Sequence, residues 1–184
     1  MAKDAGYKKH AKLIHWGMAF IIVLVWIIGF YTAHFRGNAP RGGIFLEFHK
    51  GIASLVLFMT MWRLLYRVSH DYPHFHSDGS RMAHMIIKVG HVLLYLIVMI
   101  AVPLSGWYWS SVAGSPPLLL GIIPLPAIAA VDHSHYIFGM WLHRLLAWFA
   151  GLLVLGHAMA ALKHHFYDKD DTLKRMWNFS KKSQ

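Results

Sequence analysis

The sequence predicts an all-α membrane protein: one bundle of four transmembrane helices with both termini cytoplasmic. Three observations carry that expectation: a composition too apolar for a water-soluble domain, four long apolar runs, and a lopsided placement of lysine and arginine. Of 184 residues, 57% are hydrophobic and 14% charged, and 8 Trp, 8 Tyr and 11 Phe suit side chains that anchor at bilayer interfaces. A formal charge of +10 raises nucleic acid as a partner. The apolar runs argue instead for basic membrane loops, and the expected partner is the lipid bilayer.

The first run, residues 13–35, follows Lys8, Lys9 and Lys12. It is too long for the apolar core of a signal peptide and lacks a small-residue cleavage site at its end, so it is expected to be retained. The second, 48–68, ends at Arg63 and Arg67. The third, 88–110, leads into a connection, 111–135, that has no Lys or Arg but carries Pro116, Pro117, Pro124 and Pro126 among Leu and Ile. That connection is expected to pack on the outer face of the bundle or to lie in the interface. The fourth, 136–162, is followed from Asp168 by a short polar tail. Each run is near the ~20 residues a helix needs to cross a bilayer. None shows the alternation of a barrel strand. With no internal repeat and no composition break, residues 1–184 read as one domain.

Orientation follows from the cations. On one side are Lys3, Lys8, Lys9, Lys12, Arg63, Arg67, Arg81, Lys88, Lys163, Lys169, Lys174, Arg175, Lys181 and Lys182. On the other are Arg36, Arg41 and Lys50, with Arg144 inside the fourth run. Positive charge marks the cytoplasmic side, so a multi-pass membrane protein with both termini in the cytoplasm is expected.

There is no cysteine, against 15 histidines. Disulfides, thiolate metal sites, iron–sulfur clusters and covalently attached haem are thereby excluded. His143 and His157 stand inside the fourth run, where an ionisable residue marks function. Fourteen helical residues span about 21 Å and return to within about 40° of the same face. One histidine therefore lies near each membrane surface. His49 opens the second run level with His143. His15 opens the first run level with His157, and His91 reaches the same depth on the third; spacing alone does not rank these two. His164 lies about 10 Å beyond His157 and is turned by only about 20°. Opposed histidines in two layers suit two six-coordinate haems stacked in a helical bundle. Gly17, Gly51, Gly151 and Gly156 either make room for a flat macrocycle or serve close helix packing. Met18, Met59, Met61 and Met99 read as core. His10, His34, His70, His74, His76, His133 and His135 read as solvated, with His133 and His135 a weak metal candidate. A histidine-lined zinc or proton transporter is the rival reading; it predicts a colourless protein and lacks a membrane-embedded acid to assist a cation.

Several motifs resemble the bacterial cytochrome b561 family, which includes the b-type haem subunits of nickel–iron hydrogenases. They are Ile14-His15-Trp16, Glu47-Phe48-His49-Lys50-Gly51-Ile52, and Gly90-His91 leading into Leu93-Leu94-Tyr95-Leu96. The most specific is the run from His157 to Phe166 continuing through Asp170-Asp171-Thr172-Leu173-Lys174-Arg175-Met176. The resemblance covers essentially the whole chain and implies a diheme, quinone-linked membrane cytochrome. It implies bis-histidine ligation of two non-covalent haem b groups, His15 with His157 on the cytoplasmic side and His49 with His143 on the periplasmic side. It associates His91 and His164 with a ubiquinone site. Relatives of this length look like superoxide oxidases, which pass electrons from superoxide to ubiquinone. Arg36, Arg41, Lys50 and Arg144 would draw such an anion; alternatively Arg144 pairs with a haem propionate. The competing function is a haem-bearing anchor that carries electrons for a periplasmic redox partner and has no substrate of its own.

Overall fold

A computed structural model of the chain describes residues 8–35, 43–70 and 81–177, with Ala83 described by its backbone only. Helix α1 spans Lys9–His34 and α2 spans Ile44–Ser69. The third span is built from α3 (Arg81–Leu93), a π-helical segment (Leu94–Ala101) and α4 (Val102–Val112). Helix α5 covers Tyr136–Phe166 and a short α6 covers Thr172–Trp177. Four helical stretches are long and apolar enough to cross a membrane: Lys9–His34, Ile44–Ser69, His84–Val112 and Tyr136–Phe166. The helices overrun the apolar runs at most ends, because backbone hydrogen bonding continues into the charged flanks where hydrophobicity stops. Lys3, Arg36, Arg41, His74, His76, Lys181 and Lys182 lie outside the described residues.

The π-helical turn was not expected from the sequence. Pro103 has no N–H to give Met99, and its ring crowds the preceding turn. The ladder widens just before it. The hydroxyl of Thr60 on α2 donates to Val56 at 2.7 Å and approaches the Met99 carbonyl at 3.4 Å, partly serving the acceptor that proline leaves open.

The connection between the third and fourth spans folds onto the bundle, as expected. Strands β1 (Leu118–Leu119) and β2 (Ile123–Pro124) pair antiparallel, with Gly121 at φ 74° in the turn. The tip rests on α2, where Leu120 N–H donates to the Gly51 carbonyl at 3.1 Å. A Cβ on Gly51 would meet Gly121 N at 2.9 Å, so Gly51 serves packing against the hairpin. Trp107 N–H to the Pro126 carbonyl (2.9 Å) and Ile128 N–H to Ser111 Oγ (3.2 Å) tie down the rest. This end is called the hairpin side. The opposite end, the terminal side, is closed by the tail. There the Trp16 indole donates to the Met176 carbonyl at 3.1 Å and meets Trp177 edge-on at 5.1 Å. The tail is thus a docked element, which its charged composition did not suggest.

The apolar surface points outward. Phe20, Trp62, Leu145 and Leu152 are each more than 60% exposed, as suits contact with lipid. Met61 belongs with them at 59%, so it is not core. The buried cluster is small: Met18, Val98, Met99 and Ala150, with Met59 packed against it. Ala150 lies midway between His143 and His157 in sequence, so this cluster sits between the two histidine levels.

Candidate functional site

Antiparallel helices with matched spacing build two layers. Along α5 the reference residues are His143 and His157; along the third span they are Ser105 and His91, also fourteen apart. On the hairpin side, His49 and His143 face each other with ring centres 6.2 Å apart. On the terminal side, His15 and His157 are likewise 6.2 Å apart, and His91 reaches His157 at 5.4 Å. All five histidines are therefore brought together at the two expected levels, and both His15 and His91 abut His157.

The hairpin layer is held by its backbone surroundings. His49 Nδ1–H donates to the Val25 carbonyl at 3.0 Å. His143 Nδ1–H is shared between Ser105 Oγ at 3.0 Å and the Val102 carbonyl at 3.2 Å, while the serine hydroxyl donates to Val102 at 2.7 Å. Because carbonyls only accept, these bonds assign the proton to Nδ1 and leave the Nε2 lone pair of each ring available to a metal. Gly29 and Gly106 let the rings lie against their helices: a Cβ would stand 2.7 Å from His49 Cε1 and 3.0 Å from His143 Cε1.

These residues suit the group that the resemblance implies. The 6.2 Å between ring centres at each level leaves room for one metal ion that the two imidazoles would hold. A cavity of about 1480 Å³ is lined by His49, His143, Gly29, Gly106, Trp109 and Arg144. The Trp109 indole nitrogen is buried and has no hydrogen-bond partner among the described residues. A spare donor there fits an acidic or carbonyl oxygen of a bound molecule. Among the described residues nothing lies within 4 Å of a Cβ added at Gly17 or Gly156, so neither glycine serves close helix packing. Gly151 instead packs on Trp26, whose indole donates to the Ala147 carbonyl at 3.0 Å.

Other expected residues are placed differently. Arg144 lines the cavity with its guanidinium 5.9 Å from the Trp141 ring centre. Lys50 is engaged by Glu47 at 2.9 Å and by Ser115 Oγ at 2.9 Å, as a lock between α2 and the connection. His91 is exposed, with its Nδ1–H given to the Ile87 carbonyl at 2.7 Å. His164 Nδ1 lies 2.7 Å from Asp170 and 3.1 Å from Asp168, the one group of three metal-type ligands among the described residues. His135 pairs with Asp132 at 2.6 Å, and neither it nor His133 joins such a group. Partial burial pushes the Asp170 carboxyl up. The Thr172 backbone and hydroxyl and the His164 ring together outweigh this and hold it below the ordinary carboxylate range.

Sequence reasoning missed Arg63, Trp109, Ser105, Gly29 and Gly106. Arg63 carried a signal, a cation six residues inside α2, but it counted as a loop-end charge.

The profile described as prokaryotic cytochrome b561 matches residues 6–179. The chain is 34% identical over 168 residues to "Cytochrome b561 homolog 2" of Escherichia coli (strain K12), covering 88% of this chain and 86% of that protein. It is 33% identical over 178 residues to "Probable superoxide oxidase CybB" of Yersinia pestis, covering 92% and 96%. To "Cytochrome b561 homolog 1" of Escherichia coli (strain K12) it is 25% identical over 174 residues.

Proposed function

The chain belongs to the prokaryotic cytochrome b561 family of b-type haem membrane electron carriers, and from that premise we propose that it moves electrons between two haems and reduces ubiquinone. His49 with His143 and His15 with His157 are the ligand pairs. The observation that carries the reading is the equal 6.2 Å spacing of the two pairs, one at each level of the bundle. Bound haem supplies one-electron carriage at each level. Gly29 and Gly106 seat the hairpin-side ligands, the Val25 and Val102 carbonyls orient them, and Arg144 with the Trp109 N–H receives acidic groups of the bound molecule.

The terminal side faces the cytoplasm, since Lys8, Lys9, Arg67, Arg81, Lys88, Lys163, Lys169, Lys174 and Arg175 all lie there. The electron donor is periplasmic. Superoxide is the candidate, favoured over a dehydrogenase-anchor role by the likeness to a protein named a probable superoxide oxidase. Ubiquinone reduction takes two electrons and two protons. His91 and His164 are the residues that supply the protons. Asp170 and Asp168 hold the His164 ring.

A reduced-minus-oxidised visible spectrum of the purified chain, with a haem-to-protein ratio, tests this first. Two b-type haems per chain, reduced by superoxide and reoxidised by ubiquinone, are expected. A colourless protein after haem supply would discard the electron-transfer reading, and co-purification of a redox partner with an inert isolated chain would favour the anchor role.

A further inference from the structure

Arg63 is a cation inside a membrane-spanning helix. Its Nε donates to the Tyr95 hydroxyl at 2.8 Å, and the guanidinium lies 5.6 Å from the Tyr95 ring centre. Its Nη1 is 3.9 Å from Met18 Sδ, and its Nη2 is 3.4 Å from Nδ1 of His15. No carboxylate among the described residues pairs with it. A guanidinium placed there without a counter-ion is expensive by desolvation alone, and such placements mark function.

The two layers thus differ in what stands behind their ligand imidazoles. At the hairpin side, the Val25 and Val102 carbonyls accept from His49 and His143. Such bonds make an imidazole a stronger electron donor and favour the oxidised metal. At the terminal side the Arg63 guanidinium stands 3.4 Å from His15 Nδ1; a ligating His15 keeps its proton on Nδ1, so the guanidinium acts on it through space as a charge and not as a hydrogen-bond donor. A fixed positive charge beside a metal disfavours its oxidised form, which carries one more unit of charge than the reduced form. Among the described residues no cation makes an equivalent contact with the ring nitrogens of the hairpin-side pair: Lys50 is paired with Glu47, and Arg144, next to His143 in sequence, lies over Trp141.

Resting on the two-haem reading, we infer that Arg63 is a positioning residue that raises the reduction potential of the terminal-side haem above that of the hairpin-side haem. With haem held at both levels, that ordering would make electron passage from the His49 and His143 level to the His15 and His157 level downhill. A one-electron donor refills the first, and a quinone empties the second. Tyr95 is the anchor that keeps the guanidinium against His15.

The experiment is a redox titration of the haem-loaded chain followed by its visible spectrum. Two separate one-electron waves are expected, of which His143→Ala retains the higher. Arg63→Gln lowers the higher wave and leaves the lower one in place, and Arg63→Lys restores most of the difference. Tyr95→Phe gives a smaller shift in the same direction, and it decides the matter if Arg63→Gln does not retain both haems. Two haems whose higher wave is unmoved by the variants that bind them, or a shift confined to the lower wave, overturns the inference. A chain that never binds two haems fails the reading beneath it.

Discussion

His49 and His143 are clamped from behind by carbonyls and from the side by glycines, so small changes there should have large effects. Replacing Gly29 with Ala puts a Cβ within 2.7 Å of His49 Cε1. The ring or helix α1 must shift, at a cost of about 1–3 kcal/mol as in other overpacked sites. The expected result is weakened haem at the hairpin side with the terminal side unaffected, read from the haem-to-protein ratio and the spectrum. His143→Ala should likewise remove or disturb one haem and His157→Ala the other; two normal haems in either variant would reject the pairing. The two levels and the five histidines at them were legible in the sequence because helical periodicity converts a spacing of fourteen into a shared face and a depth, whereas the choice of His15 over His91 rested on the family resemblance. Arg63 was not, because counting cations by side treats each as a loop charge and says nothing of which way a side chain turns. Gly29 and Gly106 were equally hidden, since a glycine's reason for being small lies on another helix or in the ring pressed against it.

Among the elements, the third span and the tail depart most from expectation. The π-helical turn keeps His91 and Ser105 facing α5 on either side of Pro103, and Thr60 helps satisfy the ladder there. Thr60→Val removes that hydroxyl and leaves the buried Met99 carbonyl less well served, which should destabilise the bundle by about 1–2 kcal/mol in a denaturation series. The tail is fastened by Asp170, which accepts from Thr172 N–H at 2.8 Å at the start of α6 and pairs with His164. Asp170→Asn should weaken that fastening by about 1 kcal/mol, seen as faster proteolysis beyond Phe166. The pH dependence has a definite sign. A carboxyl held below its ordinary value contributes stability above an unfolded pKa of about 3.9. That contribution is lost as the pH falls through the lower folded-state value. Docking of Trp177 on Trp16, followed by fluorescence, should thus persist through mild acid and fail only in strong acid. The sequence read the tail only as short and polar, because its pattern does not reveal a helix anchored through one indole and one carboxylate.

For the molecule as a whole, the four spans and their order were legible because a bilayer demands unbroken apolar length, a property local to each segment. The hairpin-side closure was foreseen only as packing, since it depends on Gly51 and Gly121 meeting across the fold. Charge bias implies that reporters fused after Trp177 are cytoplasmic and those inserted near Gly121 are external. A reversed pattern in a topology assay would invert the proposed direction of electron entry.

The Met18, Val98, Met99 and Ala150 cluster has a consequence for the cell's energy balance. It is a dry bulkhead of methyl and thioether groups between the two halves of the bundle. An electron tunnels through such packing, but a hydrated proton or sodium ion finds no polar foothold in it. On the proposed reading electrons alone cross this packing, and the protons that join them on a quinone are drawn from the terminal face, so each turnover adds to the gradient across the membrane.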